Sequence, residues 1–336
     1  MARKYIKVAL IAIIVVDLLY LKHTKIKGVA MNNLYSAEPM TRRISAITQR
    51  FPAIISTMVS EKEWEKIGCV SLKVHPNIST PICIYNMTEG DPLSNMLSRG
   101  TLWQPQLVKE MIEILKRDPE LQLIDLGANL GTWTLSAARL GRKVLAAEMF
   151  PPTVIRLYKS IKIGNLLDLV TLVPKALSDI KENVTIYLCG NNKMGTNIVK
   201  NAKVMRNCGL ASPYVANTIT MDDLTAYLPN GLKKAFMKID IEEMELRVFN
   251  RSEHFLKTVD IPIILMEWMH YRRSIQEPKC SYFISYMSRM GYIPFRHLAG
   301  PDGKLGPLLE DKHWLQVGDL YLIKKTYLES NFAHLQ

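Results

Sequence analysis

From residue 105 onward, apolar positions recur in two alternating rhythms. Leu107, Met111, Ile112 and Leu115 fall on one helical face, and Pro105 suits a first helical turn. Asp118-Pro119 ends that helix, and 121–126 is an apolar run of strand length. A glycine turn, Gly127-Ala-Asn-Leu-Gly131, leads into a helix over 132–140 that Gly141 stops. Strand 143–147, a helix from Pro152 to Ile163, and strand 169–174 repeat the alternation. After a polar excursion, strand 235–239 runs through Asp240 into a helix over 242–249. Strand 261–266 follows, and 292–296 and 320–324 close the series. About seven strands alternating with helices predict one α/β domain over 68–328, with a mainly parallel sheet.

Upstream, Cys69 and Cys83 bracket alternating apolar residues around a central turn, His75-Pro76-Asn77. That is the layout of a hairpin, its cysteines either bridged or free and buried. Cys189 and Cys208 bracket a loop region with the same two alternatives, and Cys280 is left over. Residues 28–67 read as a stem and 329–336 as a tail.

The first thirty residues follow another pattern. Arg3, Lys4 and Lys7 precede an apolar run, and Lys22, Lys25 and Lys27 close it. From Ile6 to Leu21 the run is 16 residues long, against roughly 20 for a full span. Asp17 lies near its end, where a charge costs less than at mid-membrane. Residues 1–27 are read as an uncleaved signal anchor forming an N-terminal hydrophobic helix. The alternatives are a cleaved signal peptide and a buried helix. Asn77, Asn86, Asn183 and Asn250 each begin an N-x-S/T sequon, four where chance predicts about two. Asn77 and Asn86 sit in a polar, proline-containing stretch; Asn250 falls within a helical segment. These features point to the secretory-pathway lumen, Golgi or endoplasmic reticulum, with the membrane met through the N-terminal helix.

Composition narrows the chemistry. At 48% apolar and 22% charged residues the chain buries a real core, which excludes disorder throughout. Five cysteines exclude a disulfide-dense scaffold, and no Cys/His pairs at zinc spacing occur, so no metal is expected. The net charge is +12, but residues 1–27 hold six Lys or Arg against one Asp. No basic stretch elsewhere is interleaved with aromatics, so nucleic acid is not an expected partner. The remaining positive charge would suit an acidic acceptor.

In an open parallel sheet, ligands bind beyond the carboxyl ends of the strands, near the switch in strand order. Asp125, Glu148, Asp240 and Glu267 fall at such ends. Gly127 permits a close backbone approach to a ligand, and Gly131 lets the following helix pack on its strand. The free N–H groups of that helix favour an anion. Glu148, 23 residues beyond Asp125, can accept hydrogen bonds from ribose hydroxyls. A dinucleotide oxidoreductase wants G-x-G-x-x-G; this turn lacks the pyrophosphate cradle, so NAD ranks well behind. An acid beside the ammonium of an amino-acid moiety points instead to S-adenosylmethionine (SAM).

Ile124-Asp-Leu-Gly-Ala-Asn-Leu-Gly131 resembles the nucleotide motif of FkbM-type methyltransferases. So do Ala147-Glu148 followed by Pro151, Lys175-Ala-Leu-Ser-Asp179, Thr220-Met-Asp-Asp-Leu224, Met237-Lys-Ile-Asp-Ile-Glu242 and Ile264-Leu-Met-Glu267. The likeness covers about residues 100–295 in order. The stretch from Cys69 to Cys83 is similar to the leader of membrane-anchored animal relatives. The resemblance implies a class I methyltransferase (Rossmann-like) fold, helices on both faces of a seven-stranded sheet, SAM as donor, and methylation of an oxygen, often on a sugar. Two departures stand out. Where the family reads K-I-D-V-E-G-x-E, this chain has Glu243 in place of the glycine, and Met149 and Phe150 intervene before the proline that follows Glu148.

On this reading Asp125, Gly127, Asn129 and Gly131 hold the methionine end of SAM and Glu148 the ribose. Ala176, Leu177 and Ser178 meet the adenine edge. Methyl transfer to a hydroxyl needs an oriented acceptor and a base. Asp240 is the first candidate base, with Glu242 and Glu267 behind it. Glu243 reads more readily as part of a solvated acidic helix start. His270 either lines the acceptor pocket or is an ordinary loop histidine, and Lys238 pairs with a strand-end acid. The expected activity is a lumenal O-methyltransferase acting on a small-molecule or glycan hydroxyl acceptor. A methyltransferase fold without turnover, serving as a binding module, is the alternative.

Overall fold

Cys69 and Cys83 face each other across an antiparallel hairpin, β1 (Cys69–His75) and β2 (Ile78–Cys83), and a disulfide joins them. In this computed structural model residues 58–189, 192–198, 210–298, 306, 308 and 311–331 are described. Asn77 is exposed in the hairpin turn, and exposed Asn86 caps a short 3-10 helix, Met87–Glu89. Two helices follow, α1 (Pro92–Ser98) and α2 (Pro105–Arg117). Pro105 opens α2; Met111, Ile112 and Leu115 of the predicted stripe are buried, Val108 and Ile114 join them, and Leu107 is only partly buried.

The main sheet has seven strands: β3 (Gln122–Leu126), β4 (Val144–Ala147), β5 (Val170–Val173), β10 (Lys234–Ile239), β11 (Asp260–Glu267), β12 (Tyr292–Phe295) and β13 (Asp319–Lys324). Their order is β12-β13-β11-β10-β3-β4-β5. The pairs from β11 through β10, β3 and β4 to β5 are parallel; β13 runs antiparallel between β11 and β12. The chain thus leaves β3 toward one edge, then returns to β3's other side with β10. The switch in strand order lies between β3 and β10, where a crevice opens beyond the strand ends.

Alternation along the strands builds a core on each face. Leu123, Val144, Ala146, Phe236, Ile263 and Leu265 pack with α2, α3 (Thr132–Arg139), α4 (Pro151–Ile163) and the hairpin. Ile124, Leu126, Leu145, Met237, Ile239, Ile264 and Met266 pack on the other face with α6 (Glu253–Thr258) and α7 (Pro278–Arg289). The seven expected strands and the helices on both faces are therefore present. Free Cys280 is buried in the second core.

Two expectations need correction. The polar stretch after β5 holds a second sheet, β6 (Ala176–Leu177), β7 (Asn183–Cys189), β8 (Asn192–Asn197) and β9 (Leu210–Ile219), in the order β6-β9-β7-β8. The helix expected over 242–249 shrinks to α5 (Glu245–Val248) followed by a 3-10 turn. Glu242 and Glu243 take left-handed φ values of 55° and 70°, which no right-handed helix admits. The proposed anchor 1–27, most of the stem, Cys208 and the end of the tail lie outside the described residues. Among the described residues no helix is long and apolar enough to cross a membrane.

Candidate functional site

A cleft opens at the switch point. Gly127, Ala128 and Asn129 from the turn after β3 line it, with Glu148 beyond β4, Ala176 and Leu177 of β6, Asp240 and Glu242 beyond β10, and Glu267 at the end of β11.

The two central strand ends meet backbone to backbone. Gly127 has φ +83°, and a Cβ there would lie 1.8 Å from the Asp240 carbonyl oxygen. Its carbonyl accepts a hydrogen bond from Lys238 Nζ at 3.0 Å. The close neighbour that requires glycine is thus a peptide of the protein itself. Gly131, at φ +95°, clears Leu157 of α4, which a Cβ would approach to 2.3 Å. It seats α3 against a neighbouring helix rather than its own strand, and it does not line the cleft.

Glu148 is only 7% exposed, yet it borders the cleft. Its Oε2 accepts the Asn129 N–H at 2.8 Å and its Oε1 the Phe150 N–H at 2.9 Å. Asn129 reaches this position with φ 50°, its own side chain accepting the Leu130 N–H at 2.8 Å. Burial pushes the Glu148 carboxyl upward against these N–H groups. A carboxylate offers about four acceptor positions, so lone pairs remain for hydroxyls in the cleft.

Asp125 and Ser178, expected at the cofactor, do not line the cleft. Asp125 shares the sheet face of Leu123 and is 0% exposed beneath α3. Its Oδ2 accepts the backbone N–H and hydroxyl of Thr134 at 3.1 and 2.6 Å, while Oδ1 has no hydrogen-bond partner among the described residues. Burial raises its pKa, Lys238 opposing that shift. Ser178 is drawn into the second sheet, its N–H donating to the Ile219 carbonyl at 2.9 Å.

The wall beyond β10 and β11 is acidic. Lys238 is buried with its ammonium 3.3 Å from Asp240. Burial would lower the pKa of this lysine, but Asp240 and Asp125 more than offset that and raise it. Glu242 is pushed up to about 9 by burial and by the carboxylates of Asp240 and Glu267. Glu245 is 0% exposed, with Ile241 N–H on Oε1 and Tyr271 hydroxyl on Oε2, each at 2.8 Å. Its pKa rises to about 7, chiefly through burial.

His270 stands between two acids, Nε2 3.4 Å from Glu267 Oε2 and Nδ1 3.7 Å from Glu243 Oε1. Its hydrogen bond to Glu267 first, then the charges of Glu267, Glu243 and Glu242, hold it at about 9 against burial. Asp319, in register with Glu267, accepts Gln104 Nε2 at 3.3 Å and is raised to about 6, first by burial. Polar atoms of Glu242, Glu267 and His270 lie within 4.8 Å of one another, as do those of Asp240, Glu245 and Glu267. In these groups His270 or the neighbouring Lys238 supplies a countercharge.

Several lining residues escaped sequence reasoning. Trp103, 42% exposed, and Gln104, at φ 48°, form a lip of the cleft just before α2. A tryptophan two residues ahead of a helix-opening proline was the available signal. Lys175 lines the cleft beside Ala176 and donates to Asn217 at 3.0 Å.

The chain matches the family model described as the methyltransferase FkbM domain over residues 125–294, about half its length. No curated protein matches the sequence. Solved structures with a similar arrangement include an O-methyltransferase from Bacillus cereus in complex with SAH, at 10% identity and TM-score 0.37, covering 72% of this chain and 92% of that one. Another is the O-methyltransferase TomG from Streptomyces achromogenes in complex with SAM, at 9% identity and TM-score 0.36, covering 72% and 91%. At such identities and scores these likenesses add nothing to the chemistry.

Proposed function

This chain belongs to the FkbM methyltransferase family, and from that premise we propose that it moves a methyl group from SAM to a hydroxyl of a sugar or another small acceptor. The observation that carries the reading is Glu148: a buried carboxylate, oriented by two backbone N–H groups, bordering the cleft at the switch point.

The residues present fit the cofactor. Glu148 has acceptor capacity for the ribose hydroxyls, and Ala176 and Leu177 offer an apolar edge for the adenine. Gly127 and Asn129 border the space for the methionine end. Asp125 acts behind them, tying α3 to β3 through Thr134. SAM supplies a methyl group on a sulfonium, an electrophile that needs only an aligned nucleophile.

The chain's own task is to place the acceptor hydroxyl and remove its proton. Asp240 is engaged by Lys238, and Glu242 holds its proton at neutral pH. Glu267 borders the cleft, its buried Oε2 facing His270 Nε2 at 3.4 Å, and we assign it as the base. Trp103 offers a flat apolar surface for the acceptor at the lip. The acidic wall favours a neutral or cationic acceptor over an acidic one, reversing the expectation from overall charge.

We place the domain in the secretory-pathway lumen, held by the N-terminal segment. The Cys69–Cys83 disulfide and the exposed sequons at Asn77 and Asn86 support this. Calorimetry with S-adenosylhomocysteine tests the cofactor, and labelled methyl transfer to pooled glycans and small hydroxyl compounds tests the reaction. Binding without transfer would favour the non-catalytic module; no binding would overturn both readings. Endoglycosidase digestion after expression in animal cells tests the compartment, unchanged mobility arguing against it.

A further inference from the structure

We propose that Glu243 and His270 are positioning residues that hold the Glu267 carboxylate at the cleft wall. The proposal rests on the reading of Glu267 as the base. Glu267 Oε2 is buried, and His270 Nε2 faces it at 3.4 Å. The other imidazole nitrogen faces the Glu243 carboxylate at 3.7 Å. A neutral imidazole carries one N–H and can serve one acid; an imidazolium carries two and can serve both. With Glu267 on one side and Glu243 on the other, two carboxylates keep His270 charged.

Glu243 stands where the resembling family has glycine, and it keeps a left-handed backbone, φ 70°, that glycine adopts without strain. The preceding Glu242 is left-handed as well, φ 55°. A bulky residue held in this region indicates that its surroundings over-determine it, a condition associated with functional sites. Here the gain over glycine is a carboxylate within reach of His270. The departure from the family pattern thereby supplies an anchor for the base.

The test follows the His270 ring proton by NMR titration of the full chain with S-adenosylhomocysteine bound. Wild type is expected to titrate near 9. Glu243→Gly and Glu243→Gln are expected to weaken proton binding at His270 about tenfold, with Glu243→Asp recovering part of the loss. The affinity for S-adenosylhomocysteine should stay unchanged, because Glu148 lies on the other side of the switch point. In turnover, Glu243→Gly should lower kcat with little change in KM, since an imidazole held from one side only orients the Glu267 carboxylate less well. A wild-type His270 titrating near 6.5, or one indifferent to Glu243, overturns the proposal. Absent methyl transfer with intact His270 coupling would instead remove Glu267's role as base. Absent cofactor binding would remove the methyltransferase reading itself.

Discussion

Gly127 and Asp240 touch through their backbones at the centre of the cleft: a Cβ on Gly127 would sit 1.8 Å from the Asp240 carbonyl oxygen. The contact joins the ends of β3 and β10. Gly127→Ala therefore meets a steric block and a left-handed φ together, each unfavourable alone. A loss of about 2 kcal/mol or more is expected in denaturant unfolding. Affinity for S-adenosylhomocysteine should fall with it, because the cleft's two halves are pushed apart. An alanine variant as stable as wild type would show that the two loops separate freely.

Glu148 is the residue whose loss should act on the cofactor most directly. Hydrogen bonds to a charged group contribute about 1.5–3 kcal/mol. Glu148→Gln should weaken S-adenosylhomocysteine binding roughly 10- to 100-fold. Of the Asn129 and Phe150 N–H groups, which donate to different oxygens of Glu148, only one keeps an acceptor and the other faces the new NH2 group. Calorimetry on a variant with an unchanged melting profile separates lost binding from lost folding. Undiminished affinity would remove Glu148 from the site.

The pH dependence of stability follows from Glu242. Its folded pKa, about 9, lies above the unfolded value of 4.5. Between those values the folded state holds a proton that the unfolded state has released, so stability falls as pH rises through this window. His270 adds in the same direction between 6.5 and about 9, where the folded state still binds its proton. Melting temperature should decline from pH 7 to pH 9, and Glu242→Gln should flatten that decline. A melting temperature that rises over the same range would contradict both assignments.

Glu243→Gly should be the more stable protein even as it loses the His270 anchor. Left-handed backbone at a non-glycine residue costs about 1–2 kcal/mol. The ion pair that goes with it is partly exposed and worth at most about 1 kcal/mol. A net change from neutral to about 1 kcal/mol of stabilisation is expected in urea unfolding. Marked destabilisation would mean that the Glu243 side chain holds the turn together.

Removing the Cys69–Cys83 bridge should cost about 3 kcal/mol, the scale for a loop of this length. The hairpin packs beside α3 and α4, where Cys83 N–H donates to Ser160 Oγ at 2.8 Å and Arg139 donates to the Ser79 carbonyl at 3.0 Å. Those contacts lie away from the cleft lining. Cys69→Ser with Cys83→Ser should thus lower the melting temperature and leave S-adenosylhomocysteine affinity unaltered. A matching loss of affinity would tie the hairpin to the cleft.

Periodicity and chain order were enough to read the seven strands, the helices between them, and the acids at strand ends, because each depends on residues within a few positions of one another. Glu148 reached the cleft by that reasoning, and Asn129, Ala176 and Leu177 by the resemblance of their motifs to the family's. Which strand lies beside which is another matter, since it depends on crossovers that span most of the chain. Only the folded sheet sets the Gly127 turn against the Asp240 peptide, turns Asp125 under α3 toward Thr134, and buries Glu245 on Tyr271. It alone brings Glu243 and Glu267 to opposite sides of His270. Local pattern names the side chains; the packing of distant segments selects which of them share water, charge and space.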